Sequence, residues 1–167
     1  QSPADTCLFQ FTHGKARVII TTWVDDCIVA YNNEEVWRKL LEQITAKFKL
    51  GYGEDFEWCL GMAVERDRSS RTLRLHQSLY VQNLLVEYKM QDAKPISTPA
   101  DCNSVLNKEM APSTADETLA MKNIPYRSLL GALLHLANFS RPDIALAVGI
   151  CSRFANCYGP AHWKALK

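Results

Sequence analysis

The sequence has almost no net charge and no long apolar run. Its 19 lysines and arginines stand against 18 aspartates and glutamates, a balance of +1, so composition alone indicates neither a nucleic-acid partner nor a membrane surface. Any basic surface must therefore come from local clustering. Uninterrupted apolar stretches such as residues 28–30 and 144–148 fall far short of the ~20 residues that span a bilayer. No transmembrane segment is expected.

The sequence also lacks the cysteine patterns of a metal site or a disulfide framework. Its six cysteines include no CxxC pair and no regular spacing, and most lie among apolar residues. We predict that they are reduced core thiols in an intracellular compartment. The first residue is not methionine, and the polar QSPADT has neither the basic region nor the apolar core of a signal peptide. The sequence is therefore interpreted as a piece of a longer protein.

Strand and helix patterns alternate in the first half of the chain. With 47% hydrophobic residues, the chain is long enough for one globular domain or a small pair of subdomains. Apolar residues at helical spacing predict helices from Asn33 to about Lys49 and over 77–90, with Gly51 and Gly53 ending the first. Runs rich in β-branched and aromatic residues predict strands at residues 6–11, 16–24, 27–31, 56–65 and 71–77.

The composition changes after residue 90. Residues 92–117 carry three prolines among small polar residues, which predicts a long loop or linker between subdomains. The remainder is predicted to be helical: Pro125 lies near one helix start, Ser140 caps the turn NFSRPD, and Pro160 opens the last segment. Mixed strands and helices followed by a helical tail indicate the α+β class.

The stretch VIITTWVDDCIVAYNN places two adjacent carboxylates, Asp25 and Asp26, between two predicted strands. Neighbouring side chains in a regular strand point to opposite faces, so both could not reach one metal ion from the middle of a strand. Two residues suffice for a tight hairpin turn, which would put the carboxylates at or beside its tip. There one carboxylate could bind a hard cation such as Mg²⁺, with further oxygen ligands from elsewhere. A solvated turn explains the same pair, because aspartate is common in turns.

A longer series of segments resembles one family in order and spacing. The segments are DTCLFQF, WVDDCIVAYNNEE, WCLGMAVERDRSSRTLRLHQSLYVQNLL, KPISTP, YRSLLGALLHLANFSRPDIALAV and HWKALK. They cover essentially the whole chain and are similar to the reverse transcriptase of copia-type LTR retrotransposons. The resemblance implies a partial polymerase palm, with antiparallel strands and a packed helix, and the start of the thumb at 1–92. A proline-rich connector at 93–124 and a mainly helical thumb or connection segment at 125–167 would follow.

The same resemblance implies roles for individual residues. Asp25 and Asp26 would be catalytic: Asp25 would bind metal, and Asp26 would be its less directly coordinating neighbour at a site for two Mg²⁺ ions. Trp23 and Val24 would flank the primer end; the family most often has Tyr where this chain has Trp23. The strand turn that grips the primer and template would contain Trp58, Leu60 and Gly61.

Basic residues cluster most densely in one predicted hairpin. Its four arginines could line a nucleic-acid backbone, where phosphate contacts give affinity without sequence preference, or could be solvated turn residues. These are Arg66, Arg68, Arg71 and Arg74. Elsewhere, either Lys47 or Lys49 lies where the family carries a lysine near the incoming triphosphate. The histidines at 76, 135 and 162 have no metal-ligand spacing and are interpreted as core or surface residues.

The resemblance covers only part of a complete polymerase. In the family, another carboxylate strand and the fingers lie well upstream of the DD hairpin, and a ribonuclease H domain follows. The complete protein is expected to bind RNA or DNA primer-template and deoxynucleoside triphosphates in a cytoplasmic retrotransposon particle or the nucleus. We expect this chain to be inactive alone. The alternatives are a non-catalytic nucleic-acid-binding or interaction module derived from a retrotransposon, and a relic without function.

Overall fold

The chain divides into two units. The computed structural model describes residues 1–51, 56–100 and 105–167, and its units are Gln1–Glu57 and Trp58–Lys167. The domain divisions predicted at residues 92 and 124 stay a prediction. The predicted helix breaker Gly53 lies outside the described residues. Within the described ranges, no helix is both long and apolar enough to cross a membrane.

A three-stranded antiparallel sheet forms most of the first unit. Its strands are β1 (Leu8–His13), β2 (Ala16–Trp23) and β3 (Asp26–Tyr31), in the order β1-β2-β3. Side chains alternate between the two faces, so Val18 is 1% exposed while its neighbour Ile19 is 41% exposed. The three strands predicted for this part of the chain are confirmed, with their bounds shifted by one or two residues.

Two asparagines join the sheet to helix α1 (Glu34–Thr45). The Asn32 side chain accepts a hydrogen bond from the Arg17 N–H at 2.7 Å and donates to a carbonyl in the β1–β2 turn at 3.0 Å. Asn33 accepts from the Val36 N–H at 3.0 Å, which confirms the predicted N-cap. The helix ends four residues earlier than the predicted end near Lys49.

The first unit has little hydrophobic core. Among its described residues only Ala16 and Val18 are buried apolar residues, and no residue of α1 is buried. The Tyr31 ring stacks on Trp37 at a centroid distance of 5.9 Å, which is the aromatic contact between sheet and helix. Its large apolar side chains that stay exposed include Phe9, Phe11, Ile19, Phe48 and Leu50. Burial therefore stabilises this unit only weakly.

The second unit begins with another antiparallel sheet, β4 (Trp58–Cys59), β5 (Met62–Asp67) and β6 (Thr72–His76), in that order. The single strand predicted over 56–65 is wrong, because a two-residue turn, Leu60 and Gly61, divides it. Their φ angles are 49° and 80°, and a two-residue hairpin of this kind needs positive φ at both positions.

Five α-helices follow among the described residues of the second unit: α2 (Ser78–Glu87), α3 (Ala115–Met121), α4 (Tyr126–Phe139), α5 (Ala145–Ser152) and α6 (Pro160–Leu166). Helix α3 lies inside the region predicted to be a connector, so the prediction of a loop is wrong there. Thr114 and Glu117 form a reciprocal capping box, each side chain accepting from the other residue's N–H at 3.2 Å. Backbone hydrogen bonds from Ser113 and Thr114 lower the pKa of Glu117. The T-x-x-E pattern of Thr114 and Glu117 is the feature of the sequence that indicates the start of α3.

The helices of the second unit enclose its core around Tyr126. This side chain is fully buried, and its hydroxyl donates to the Cys151 carbonyl at 2.8 Å. Burial raises the pKa of Tyr126 above its ordinary value. The ring stacks on Tyr158 at 4.5 Å. The buried core cluster consists of Tyr88, Tyr126, Leu129, Leu130, Val148, Cys151 and Leu166.

Five of the six cysteines lie among the described residues, and all five are free thiols. Cys151 is buried, as predicted for a core thiol, and burial raises the pKa of its thiol. Cys7 and Cys27 are exposed, so the prediction of core positions is wrong for these two. Cys102 lies outside the described residues.

A buried glutamine joins α2 to the end of α4. Gln77, 4% exposed, donates from its amide nitrogen to His135 Nε2 at 2.9 Å and accepts from the Ser140 hydroxyl at 2.6 Å. Because the Ser140 hydroxyl is used here, it does not cap the turn that follows, and that prediction is wrong. Buried polar groups require such partners, since an unpaired one is costly.

The segment before α3 is held against α6 by another buried side chain. His162 is fully buried, accepts from the Gly159 N–H at 2.9 Å, and contacts the Asn107 carbonyl through Nε2 at 3.0 Å. A Cβ at Gly159 would overlap the carbonyl oxygen of Met110 and lie 3.4 Å from the Ala111 Cα. Only glycine permits this close approach of the two backbones.

Replacing Gly159 by alanine should therefore destabilise the second unit. We expect Gly159→Ala to lower the free energy of unfolding by about 1–3 kcal/mol, because the backbone of residues 110–111 must shift to admit the methyl group. Urea unfolding measures this change. The matched control is Gly131→Ala in α4, where a Cβ meets open space; it should raise stability by about 0.5–1 kcal/mol. Equal effects of the two substitutions would contradict the packing argument.

Candidate metal-binding and primer-binding site

The β2–β3 hairpin has a two-residue loop formed by Val24 and Asp25. Trp23 and Asp26 are the last pair in the register, so their side chains lie on the same face at the end of the ladder. Asp25 therefore occupies the tip, and Asp26 is the first residue of β3. This confirms the predicted position of the two carboxylates, at the tip and directly beside it.

The tip of this hairpin exposes large side chains in a strained backbone. Val24 has φ 52° and is 89% exposed, and Trp23 is 63% exposed. A left-handed conformation costs roughly 1–2 kcal/mol for a residue with a Cβ, and β-branching makes it less favourable still. Because Val24 is almost fully exposed, packing of its side chain does not offset this cost.

Both carboxylates are exposed and present oxygen atoms, the ligand type that Mg²⁺ prefers. Mg²⁺ requires close to octahedral coordination, which Asp25 and Asp26 alone do not complete. In the part of the chain that the structure describes, no group of three or more His, Cys, Asp or Glu residues is arranged to hold a metal ion. The hairpin thus fits the chemistry of Mg²⁺ in kind and supplies only part of a coordination shell.

The predicted primer-gripping turn lies in the second unit, between β4 and β5. Trp58 and Leu60 are 56% and 43% exposed. A Cβ added at Gly61 would meet no heavy atom within 4 Å, so glycine is required here by its φ of 80° and not by crowding within the chain. Within this unit the structure brings Trp58, Leu60 and Gly61 together at one turn, with both apolar side chains accessible.

The four arginines of the β5–β6 hairpin do not share one surface. Arg74 pairs with Glu65 in the register and Arg66 pairs with Leu73, so Arg74 and Arg66 lie on opposite faces. Arg68 and Arg71 lie in the loop, and Arg71 has φ 55°. Sequence spacing alone could not separate these positions, because the separation follows from strand register.

The sequence R-P-D begins the turn before α5. The Arg141 guanidinium donates two hydrogen bonds to the Asp143 carboxylate, at 2.8 and 2.7 Å, and lowers the pKa of that carboxyl. The pair is about half exposed and lies at the start of the short turn before α5. Lys47 and Lys49, predicted as alternatives near the triphosphate, are both exposed beyond the end of α1.

Relieving the strain at Val24 should stabilise the β2–β3 hairpin. We expect Val24→Gly to raise the free energy of hairpin opening by about 1 kcal/mol, because glycine adopts positive φ at no steric cost. Amide hydrogen exchange of β2 and β3 measures this free energy. Val24→Ala keeps a Cβ and should give less than half the gain. A loss of protection in Val24→Gly would show that the valine is not strained.

The chain is similar to known proteins along its length. The family described as reverse transcriptase (RNA-dependent DNA polymerase) matches residues 1–102. The retrovirus-related Pol polyprotein from transposon TNT 1-94 of Nicotiana tabacum is 36% identical over 150 residues, which are 90% of this chain. Those from transposons RE2 and RE1 of Arabidopsis thaliana are 31% and 32% identical over 166 residues, 99% of this chain.

These relatives are much longer proteins. The matched part is 11% of each of the three polyproteins. No solved structure matches the chain. The family match covers more than half of the chain, and it includes the hairpin with Asp25 and Asp26. The chain belongs to the reverse transcriptase family, in the form found in the Pol polyproteins of copia-type retrotransposons.

Proposed function

We propose that this chain is part of an RNA-directed DNA polymerase in which Asp25 binds Mg²⁺ and Asp26 is its close neighbour. The observation that carries the proposal is the two-residue loop of Val24 and Asp25, closed by the Trp23–Asp26 pair, in a member of the reverse transcriptase family. This loop holds one carboxylate at an exposed tip and the next at the start of a strand.

The proposed reaction joins a deoxynucleotide to a primer. The primer 3′-hydroxyl oxygen attacks the α-phosphorus of a deoxynucleoside triphosphate, and the hydroxyl proton passes to solvent. The bond from the α-phosphorus to the oxygen that bridges to the β-phosphate breaks, and pyrophosphate leaves. When bound, the two Mg²⁺ ions of the complete enzyme lower the pKa of the hydroxyl and stabilise the charge of the leaving pyrophosphate. Asp25 would hold metal at the tip. Asp26, one residue away, adds a second negative charge that favours cation binding at the same place.

Exposed apolar side chains beside the carboxylates are suited to contact the primer. Trp23 and Val24 would flank the primer end. The strain at Val24 supports a functional role, because strained residues persist mainly where function requires them. In the second unit, Trp58, Leu60 and Gly61 would hold the primer strand against the template.

The complete protein is proposed to contain the remaining parts of the site. An upstream palm strand would supply the missing carboxylate, the fingers would bind the deoxynucleoside triphosphate, and a ribonuclease H segment would follow. The complete protein would act in a cytoplasmic retrotransposon particle or the nucleus. Since Asp25 and Asp26 do not complete a coordination shell, we propose that this chain alone does not extend primers.

A second candidate function is nucleic-acid binding without catalysis. The observation that favours it is the exposed β5–β6 hairpin, in which Arg66, Arg68 and Arg71 form no salt bridge among the described residues. Such cations attract a phosphate backbone without sequence preference. This function is compatible with the first, since a polymerase must also bind primer-template.

The role of Asp25 can be tested in a longer polypeptide that includes the upstream palm and fingers. We expect Asp25→Asn to reduce Mg²⁺-dependent primer extension to background, because the amide is a poor ligand for the metal. Asp26→Asn should reduce the rate by about 10- to 100-fold, the range for a residue next to the metal ligands. Extension of a labelled DNA primer on an RNA template measures both rates.

Asp92→Asn is the matched control for both substitutions. Asp92 is exposed and lies after α2, so the same chemical change there should leave extension unchanged. Wild-type rates in the Asp25→Asn variant would remove Asp25 from the proposed metal site.

A further inference from the structure

The register of the β5–β6 hairpin separates two of its four arginines, Arg74 and Arg66. Cross-strand partners share a face, so Arg74 lies with Glu65 on one face and Arg66 lies with Leu73 on the other. The loop between Asp67 and Thr72 carries the remaining two, Arg68 and Arg71. The register therefore assigns opposite faces to Arg74 and Arg66 and no face to the two loop arginines.

The acidic side chains of this hairpin are already bound to other partners. Glu65 Oε2 lies 3.5 Å from the Arg74 guanidinium, and Glu65 Oε1 lies 3.1 Å from His76 Nε2. Arg74 therefore has a carboxylate partner on its own face, in a pair that is largely exposed.

Asp67 is directed into the loop. Its carboxylate accepts from the hydroxyls of Ser69 and Ser70, both at 2.6 Å, and from their N–H groups at 2.8 and 3.3 Å. These bonds hold the pKa of Asp67 well below its ordinary value. They also order the loop, so the backbone between Arg68 and Arg71 is shaped before any ligand binds.

We infer that Arg66, Arg68 and Arg71 bind the phosphate backbone of an RNA–DNA duplex, and that Arg74 does not. The inference rests on the proposed function, because it takes primer-template as the ligand. Within the described residues none of the three forms a salt bridge, whereas Arg74 does. A guanidinium donates two parallel hydrogen bonds to a phosphate, and its charge displaces condensed counterions.

A nucleic acid fits this surface better than an acidic protein segment. The three guanidinium groups are spread over a loop and the adjoining strand, and a phosphate backbone offers charges at regular spacing along such a path. The choice of a duplex as the ligand follows from the proposed function, which rests on membership of the reverse transcriptase family.

The test measures how binding of the full 167-residue chain depends on salt. Fluorescence anisotropy with a labelled RNA–DNA hybrid, at several NaCl concentrations between about 50 and 200 mM, gives the slope of log K against log salt. The test variant is the triple substitution Arg66→Gln, Arg68→Gln and Arg71→Gln. We expect it to weaken binding and to reduce the slope by about 2.7, because each lost phosphate contact removes about 0.9.

The matched control removes the other arginine without changing net charge. The double substitution Glu65→Gln and Arg74→Gln deletes the pair on the opposite face, and it should leave the slope unchanged. Circular dichroism and thermal unfolding of each variant show that the fold is retained. Arg71→Gln alone, with an expected slope change of about 0.9, gives a milder variant if the triple substitution does not fold.

The possible outcomes separate this inference from the proposed function. Wild-type binding with an unchanged slope in the arginine variants would overturn the inference and leave primer-template binding intact. No binding of the hybrid by the wild-type chain would count against both. Binding of polyglutamate that depends on the same arginines, with no competition from the hybrid, would identify an acidic protein partner and overturn the inference.

Discussion

The register of β2 and β3 is the constraint on which both the first unit and its site depend. Six pairs run from Val18 with Tyr31 to Trp23 with Asp26. This alignment buries Val18 on one face and sets the two-residue loop that exposes Asp25. A slip of one residue would move Val18 into solvent and Asp26 to the other face. At the far end, the Asn32 side chain bonds to the β1–β2 hairpin at 2.7 Å and helps to fix the same register.

The two units differ in how they are stabilised. The second encloses a helical core around Tyr126 and joins its elements through two fully partnered buried side chains, Gln77 and His162. The first buries only Ala16 and Val18 among its described apolar residues, and its sheet leaves several aromatic side chains exposed. In the proposed polymerase, such surfaces would pack against the remaining palm. The hairpin with Asp25 and Asp26 therefore belongs to the unit that is less stabilised by apolar burial.

Much of the fold could be predicted from the sequence, and the misses have physical reasons. Alternating β-branched residues located the strands of the first unit, and Asn33 marked the start of α1. The strand over 56–65 was too long because leucine is an unusual residue at positive φ, so the turn at Leu60 gave a weak signal. The bond between Gln77 and Ser140 joins residues 63 positions apart, which no local pattern records.

The candidate site likewise combines features that the sequence predicted with features that only the structure shows. The position of Asp25 and Asp26 at a hairpin followed from two short strands separated by two residues, and the family resemblance supplied their proposed roles. The separation of Arg74 from Arg66 required the register.

The most direct test of the account is Mg²⁺-dependent primer extension by the 167-residue chain itself, on an RNA template with a DNA primer. The account predicts no extension above the level without protein. Robust extension that depends on Asp25 would contradict it, because the chain would then complete the metal site without an upstream carboxylate.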